Sequence, residues 1–147
     1  MSNSEIISVI VLAVLFISLC LKAYVVFRDR VRLRTKSRFC AAHKSGPAYM
    51  KVEAINMGRR PVILTRLGGY YADGHWSGIY IGKHNKGYQL GENEKFSEDI
   101  TEMHPMFFDH ERGVAIIDLW FEDTLGRRYR VKNARKHIRQ LIKQNDA

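Results

Sequence analysis

The sequence predicts one membrane-spanning helix, followed by an all-β sandwich and a short basic helix at the C-terminus. Three observations support this fold class. Residues 6–27 form an apolar run with one formal charge, Lys22. Residues 48–132 contain six or seven short β-type runs separated by turn signals, as sandwich domains do. Residues 133–147 place apolar side chains at helical spacing among basic ones.

The apolar run is long enough to cross a bilayer. At about 1.5 Å per helical residue it reaches about 33 Å, and a hydrocarbon core is about 30 Å thick. Lys22 lies near one end and can extend towards the interface. A cleaved signal peptide would need a basic region before the apolar run, and residues 1–5 contain no Lys or Arg. We therefore expect a retained anchor with a short external N-terminus, residues 1–5.

A basic segment follows the span and predicts the orientation. Its six cations are Arg28, Arg30, Arg32, Arg34, Lys36 and Arg38. An excess of Lys and Arg marks the cytoplasmic side, so we expect a single-pass protein of the bacterial inner membrane with its C-terminal domain in the cytoplasm. Residues 28–47 are predicted to form a juxtamembrane linker whose six cations contact anionic lipid headgroups.

The formal net charge of +9 is distributed unevenly. Residues 45–125 carry eight basic and twelve acidic residues, whereas residues 1–44 and 126–147 carry eight basic residues each, against two and one acidic. The positive excess therefore flanks the domain, which favours membrane-surface contact over nucleic-acid binding. The expected partners are the anionic bilayer and a protein, which includes a second copy of this chain.

The first half of the domain reads as two strands joined by a turn. Residues 48–56 alternate apolar and polar, as a half-buried strand does. Residues 56–61, Asn-Met-Gly-Arg-Arg-Pro, form a turn, and residues 62–71 form a second strand. Within that strand Gly68-Gly69 indicates a bulge or a close approach of backbones. Residues 76–81 predict a short strand, and residues 90–100 fit either a strand or a helical piece.

The second half contains the strongest strand and the final helix. Residues 114–122 are nearly continuous in apolar side chains, which predicts a central strand, with Ala115, Ile117, Leu119 and Phe121 expected on one face. Residues 123–126 form a hairpin loop before a returning strand at 127–132. In the final helix, capped by Asn133, a narrow apolar stripe can pack on the domain or lie on the membrane, and we expect packing on the domain. The stripe consists of Ala134, Ile138, Leu141 and Ile142.

Three segments resemble small immunoglobulin-like domains found in many uncharacterised bacterial and phage proteins. They are residues 52–65, VEAINMGRRPVILT, then Leu90-Gly91-Glu92, and residues 123–129, DTLGRRY. The resemblance covers about residues 48–132 and implies an immunoglobulin-like sandwich without a particular activity. The chain departs from antibody-type domains because it lacks their cysteine pair: Cys20 lies in the predicted span and Cys40 in the predicted linker.

No motif specifies a reaction. His104 and His110 are separated by a spacing that matches no zinc motif, and the chain has neither a G-x-S-x-G sequence nor a phosphate-binding loop. We therefore predict a protein that is not an enzyme, with no catalytic residue, cofactor or metal.

The predicted function is a membrane-anchored interaction module, and the alternative is a sensor-effector that binds an anionic small ligand such as a nucleotide and self-associates in the membrane. Candidate ligand or partner contacts are Arg59, Arg60, Arg127 and Arg128, on loops that a sandwich can bring to one end, together with Phe107 and Phe108. The aromatic residues Tyr70, Tyr71, Trp76 and Tyr80 fit either core packing, which we favour, or a partner surface.

Overall fold

The computed structural model describes residues 2–44 and 46–145, with the side chains of Arg28 and Asn145 outside the described part. Its first element is α1, Asn3–Arg28. The hydroxyl of Ser2 accepts a hydrogen bond from the Glu5 amide, and the Glu5 carboxylate accepts one from the Ser2 amide, which forms a capping box. Within Asn3–Phe27, an 18-residue stretch has a mean hydropathy of 2.7 and is not buried by the domain. The helix is therefore long and apolar enough to cross a bilayer.

The domain is built of two antiparallel sheets. The three-stranded sheet has the order β1 (Leu33–Cys40), β2 (Tyr49–Asn56), β6 (Lys95–Ile100). The six-stranded sheet contains β3 (Val62–Tyr71), β4 (Trp76–Tyr80), β5 (Tyr88–Leu90), β7 (Phe108–Asp109), β8 (Val114–Asp123) and β9 (Arg128–Arg130). In it, β3 pairs with β4, β5 and β8, and β8 pairs with β7 and β9. A short 3₁₀ turn, Lys83–Asn85, precedes β5, and α2 (Ala134–Asn145) follows β9.

One apolar core joins the two sheets. Met50 and Val52 of β2 are fully buried in the same cluster as Leu64 of β3 and Phe121 of β8. The ring of Phe96, from the three-stranded sheet, meets that of Phe121 edge-on, with 6.0 Å between their centroids. The two sheets therefore face each other across a shared core, and the β-rich domain predicted from the sequence is confirmed.

Helix α2 packs on the domain, as expected. Its Ala134, Ile138 and Leu141 are buried in the core cluster, and Ile142 packs against that cluster. The helix contacts β8 and also β1 and β2 of the other sheet. It therefore covers the core where the two sheets meet, with its basic side chains directed away.

Two features of the strands differ from the sequence prediction. Residues 28–47, expected to be a linker, contain β1, which pairs with β2 along its whole length. On β8 we expected Ile117 to share a face with Leu119 and Phe121, but Ile116 is buried in its place and Ile117 is 41% exposed. The reason is that the register with β3 shifts between Tyr70 and Tyr71. Such an irregularity moves the following side chains to the opposite face.

Candidate functional site

The outer face of the six-stranded sheet carries an unusual set of side chains for a surface exposed to solvent. We call it the aromatic–arginine face; it consists of Arg66 and Tyr70 of β3, Trp76 and Tyr80 of β4, Trp120 and Glu122 of β8, and Arg128 of β9. Strand register places all of them on one side, because Arg66 is opposite both Tyr80 and Glu122, and Glu122 is opposite Arg128.

Trp120 lies at the centre of this face and is only 1% exposed, although it is outside the main core cluster. Two glycines make this possible. A Cβ atom on Gly68 would be 2.5 Å from Cε2 of the indole, and one on Gly78 would be 3.5 Å from its Cη2. The sequence Gly68-Gly69 predicted a bulge or a close approach of backbones. At Gly68 the structure shows instead the side chain of Trp120 lying directly on the backbone. The indole Nε1 is buried and has no hydrogen-bond acceptor in the described structure.

Arg128 is held over this tryptophan. Its guanidinium carbon is 4.1 Å from the ring centroid of Trp76 and 4.2 Å from that of Trp120, and its Nε donates to Glu122 at 3.2 Å. A cation between two indoles is favourable at about 0.5–2 kcal/mol per contact. The sequence predicted Arg128 as a loop contact beside Arg127; the structure places it on β9, facing the tryptophans.

The aromatic residues thus divide between core and surface. Trp76 and Tyr80 are 46% and 50% exposed on the aromatic–arginine face. Tyr71 is buried and donates its hydroxyl to the Met106 carbonyl, so it belongs to the core. Phe107, predicted as a partner contact, is instead buried in the core, and its carbonyl accepts a hydrogen bond from the Ile116 amide of β8. Phe108 is exposed and lies on β7 against His110.

The turn at residues 56–61, between β2 and β3, contacts the residues that follow α1. Asn56 is fully buried; its amide donates to the carbonyls of Arg60 (2.8 Å) and Leu90 (3.1 Å), and its Oδ1 accepts from the Gly58 amide. The Met57 amide donates to the Arg32 carbonyl at 2.6 Å. A Cβ atom on Gly58 would lie 2.9 Å from the Arg32 nitrogen and closer still to the Arg30 carbonyl oxygen. The turn is therefore pressed against the segment that leaves the helix.

Beside this contact lies a cleft of about 800 Å³, which we call the junction cleft. It is lined by the last turn of α1, by Arg30, and by the turns that contain Arg60 and Arg127. Two of the four predicted loop arginines, Arg60 and Arg127, thus meet at one end of the domain. Arg59 is exposed on the same turn but does not line the cleft.

Asp123 organises the turn that carries Arg127. Burial raises the pKa of Asp123, but hydrogen bonds from the Arg127 amide, the Tyr129 hydroxyl and the Arg127 guanidinium outweigh it, so the pKa lies below its ordinary value. The ion pair between Arg127 Nε and Asp123 Oδ2 measures 2.9 Å, and the carboxylate is 2% exposed. Arg127 therefore has a structural role in addition to lining the cleft.

A second basic region lies between β1 and α2. This cleft, of about 790 Å³, is lined by Arg34, Lys36, Arg38, Lys132 and Lys136, and by no described acidic residue; we call it the basic cleft. At its floor the Ser37 hydroxyl contacts Nδ1 of His137 at 2.7 Å. Burial, together with the charge of Lys136, lowers the pKa of His137.

The six cations predicted as membrane contacts are thus separated by the fold. Arg30 and Arg32 lie beside Phe27 at the end of α1, with guanidinium carbons 4.9 and 5.2 Å from its ring centroid. Arg34, Lys36 and Arg38 lie within β1. At about 3.3 Å per residue, the strand places Arg38 about 17 Å from its first residue. The Arg28 side chain is outside the described part. Alternation of residues 33–39 was the signal that could have predicted this strand.

His104 and His110, whose spacing matched no zinc motif, do not form a metal site with Asp109, which lies next to His110 in the sequence. Asp109 instead contacts Nε2 of His75 at 2.9 Å, and Asp73 contacts Nδ1 of the same ring. His75 also stacks on Tyr71, and its side chain is partly buried. Among residues 2–44 and 46–145, no group of three or more His, Cys, Asp or Glu is arranged to hold a metal ion.

Comparison with known proteins adds little. No protein-family model matches the chain, and no curated protein is similar to it in sequence. Three solved chains match in structure. One is the X-ray structure of Northeast Structural Genomics Consortium target SoR45, with 11% identity, a TM-score of 0.30, and coverage of 71% of this chain and 82% of that chain. A likeness at that TM-score carries no argument about fold or function.

Proposed function

We propose that this protein is a membrane-anchored, non-enzymatic interaction module whose cytoplasmic domain is an immunoglobulin-like sandwich. Helix α1 holds the domain at the bacterial inner membrane, with the N-terminus outside. The aromatic–arginine face binds a protein of the same membrane surface. Tethering raises the effective concentration of the domain for such a neighbour.

The strand order supports the immunoglobulin-like assignment. If β1, β2 and β6 are strands A, B and E, then β4, β3, β8 and β9 are C′, C, F and G, which are the two sheets of that fold. The domain departs from the antibody type in its added helix α2 and in the position of its tryptophan, on the outer face of strand F.

The composition of the aromatic–arginine face carries the functional proposal. Trp, Tyr and Arg are the residues that dominate binding energy in protein interfaces. Here they occupy the outside of a sheet, where polar residues are usual. Trp120 is already desolvated there, with its Nε1 unpaired in the described structure, so a partner can bury the exposed rings of Trp76 and Tyr80 around a rigid centre.

Site-specific photocrosslinking tests this proposal in native membranes. A photoreactive residue placed at Tyr80 should give one reproducible protein adduct, identified by mass spectrometry. Tyr88 is the matched control, because it is 44% exposed and lies against Phe96, away from the face. Trp76→Ala should abolish the adduct at position 80. Equal adducts at positions 80 and 88, or none at 80, would refute the assignment.

The membrane anchor and the orientation are tested separately. The full chain should remain in the membrane pellet after alkaline carbonate washing, and a protease added outside intact spheroplasts should leave the C-terminal domain uncut. A soluble chain that has lost its first thirty or so residues would show a cleaved signal sequence instead.

The basic cleft favours a second candidate function, the binding of an anionic small ligand. Five cations line it without an acidic residue from the described part. Lys36 is paired with Glu53 at 2.8 Å, whereas the other four have no ion-pair partner within 4.0 Å among the described residues. The loops first considered for such a site are less suitable, because Arg128 lies between two indoles and Arg127 is paired with Asp123. Titration of the full chain with ATP should raise the pKa of His137, measured by NMR, if the anion enters this cleft. An unchanged His137 titration would exclude it.

A further inference from the structure

The junction cleft lies where the membrane anchor meets the domain, and its position follows from the contacts around it. Val25 and Val26 of the last helical turn form one wall. The opposite walls are the turns that contain Arg60 and Leu125. Because the Met57 amide is bonded to the Arg32 carbonyl and Gly58 leaves no space for a side chain, these turns are fixed close to the helix end.

The charges in the cleft favour an anion. Arg30, Arg60 and Arg127 face Asp29 and Asp123. Asp123 is already paired with Arg127, whereas neither Arg30 nor Arg60 has an ion-pair partner within 4.0 Å among the described residues. Once that pair is set aside, Arg30 and Arg60 remain with one carboxylate, Asp29, so the cleft keeps a net charge of +1.

The same cleft has an apolar edge. Leu125, at the tip of the turn between β8 and β9, is 74% exposed. An isolated exposed leucine is common on protein surfaces, but this one lines the cleft beside the valines of the anchor. If α1 spans the bilayer, Leu125 lies at the level where apolar side chains meet acyl chains and arginines meet headgroups.

We infer that the junction cleft binds the phosphate of an anionic phospholipid, with Arg30 and Arg60 on the headgroup and Leu125 against the acyl chains. This inference rests on the membrane anchor of the proposed function. The lipid would fix the domain relative to the bilayer surface, and so determine which direction the aromatic–arginine face presents to a neighbour.

Native mass spectrometry of the full chain in detergent tests the inference, with phosphatidylglycerol as the probe and phosphatidylcholine as the neutral comparison. Arg60→Gln and Arg59→Gln are matched variants, since they remove the same charge from adjacent positions and only Arg60 lines the cleft. Arg60→Gln should weaken retention of phosphatidylglycerol about fivefold, whereas Arg59→Gln should not. Leu125→Ser should also weaken retention of phosphatidylglycerol. Neither of the two arginine variants should change the binding of phosphatidylcholine.

Several outcomes would overturn the inference. Equal losses in the two arginine variants would show general surface attraction, and equal retention of phosphatidylcholine would exclude recognition of the charge. Displacement of the lipid by millimolar glycerol phosphate would identify a site for soluble phosphate. Carbonate washing of membranes distinguishes failure of the anchor from failure of the lipid site. A chain that is washed out contradicts the anchor itself. If the chain is retained but Arg60→Gln and Arg59→Gln bind phosphatidylglycerol equally, only the lipid site is contradicted.

Discussion

Gly58→Ala tests whether the domain is held against the end of helix α1. The added Cβ would lie 2.9 Å from the Arg32 nitrogen and nearer still to the Arg30 carbonyl oxygen. Both atoms are backbone, so neither can move away as a flexible side chain would. Overpacking of this kind costs about 1–3 kcal/mol, and loss of the Met57–Arg32 hydrogen bond adds about 1 kcal/mol. We expect a total loss of about 2–4 kcal/mol.

The assay is urea unfolding of the full chain in detergent, followed by tryptophan fluorescence. For a domain of this size, the expected loss corresponds to about 10–20 °C in Tm. Gly46→Ala is the control, because a Cβ there would have no heavy atom within 4 Å, and its effect should stay within about 0.5 kcal/mol. Hydrogen exchange at the Met57 amide should accelerate in Gly58→Ala alone. Indistinguishable unfolding of the two variants would refute the proposed close contact.

Three further predictions concern buried groups. Asn56→Asp puts a carboxylate against two carbonyl oxygens, so the free energy of unfolding in urea should fall by about 3 kcal/mol or more; a loss below about 1 kcal/mol would contradict this. Because the pKa of Asp123 is lower in the folded chain, its contribution is present above about pH 4 and disappears as the pH falls through the folded pKa; Asp123→Asn should therefore flatten the acid limb of a stability titration, and an unchanged limb would count against the ion pair. Gly68→Ala should displace Trp120, which a red-shifted emission spectrum and faster acrylamide quenching would reveal, whereas unchanged fluorescence would place the indole elsewhere.

Patterns along the chain predicted much of the fold. The period-two alternation of residues 48–56 and the apolar run at 114–122 correspond to β2 and β8. Residues 33–39 also alternate, but three of the four outward positions of β1 are cationic. Because the segment lacks a sustained apolar period, a linker was the simpler interpretation. The inward positions are Leu33, Thr35, Ser37 and Phe39, opposite buried or partly buried residues of β2. Two of the four are polar, so their hydrophobic signal was weak.

The candidate sites were harder to predict, because each combines residues that are distant in sequence. Arg60 and Arg127 come together only because their turns lie at the same end of the two packed sheets. Arg127 and Arg128 are neighbours in sequence, yet Arg127 lies in the turn before β9 and bonds Asp123, whereas Arg128 is the first residue of β9 and faces the tryptophans. No local pattern distinguishes the arginine that lines the junction cleft from the one held between indoles.

The sequence alone determined the apolar helix, the β-rich character of the domain and the apolar stripe of the C-terminal helix, because hydrophobic periodicity is a local property. Only the tertiary structure decided that Trp120 is buried on an outer face, that Gly68 accommodates it, that α2 packs on the domain, and that three of the cations after α1 line a cleft with α2. These features depend on strand register and on contacts between distant segments. A change of one residue in register would exchange the two faces of a strand, and composition does not encode that choice.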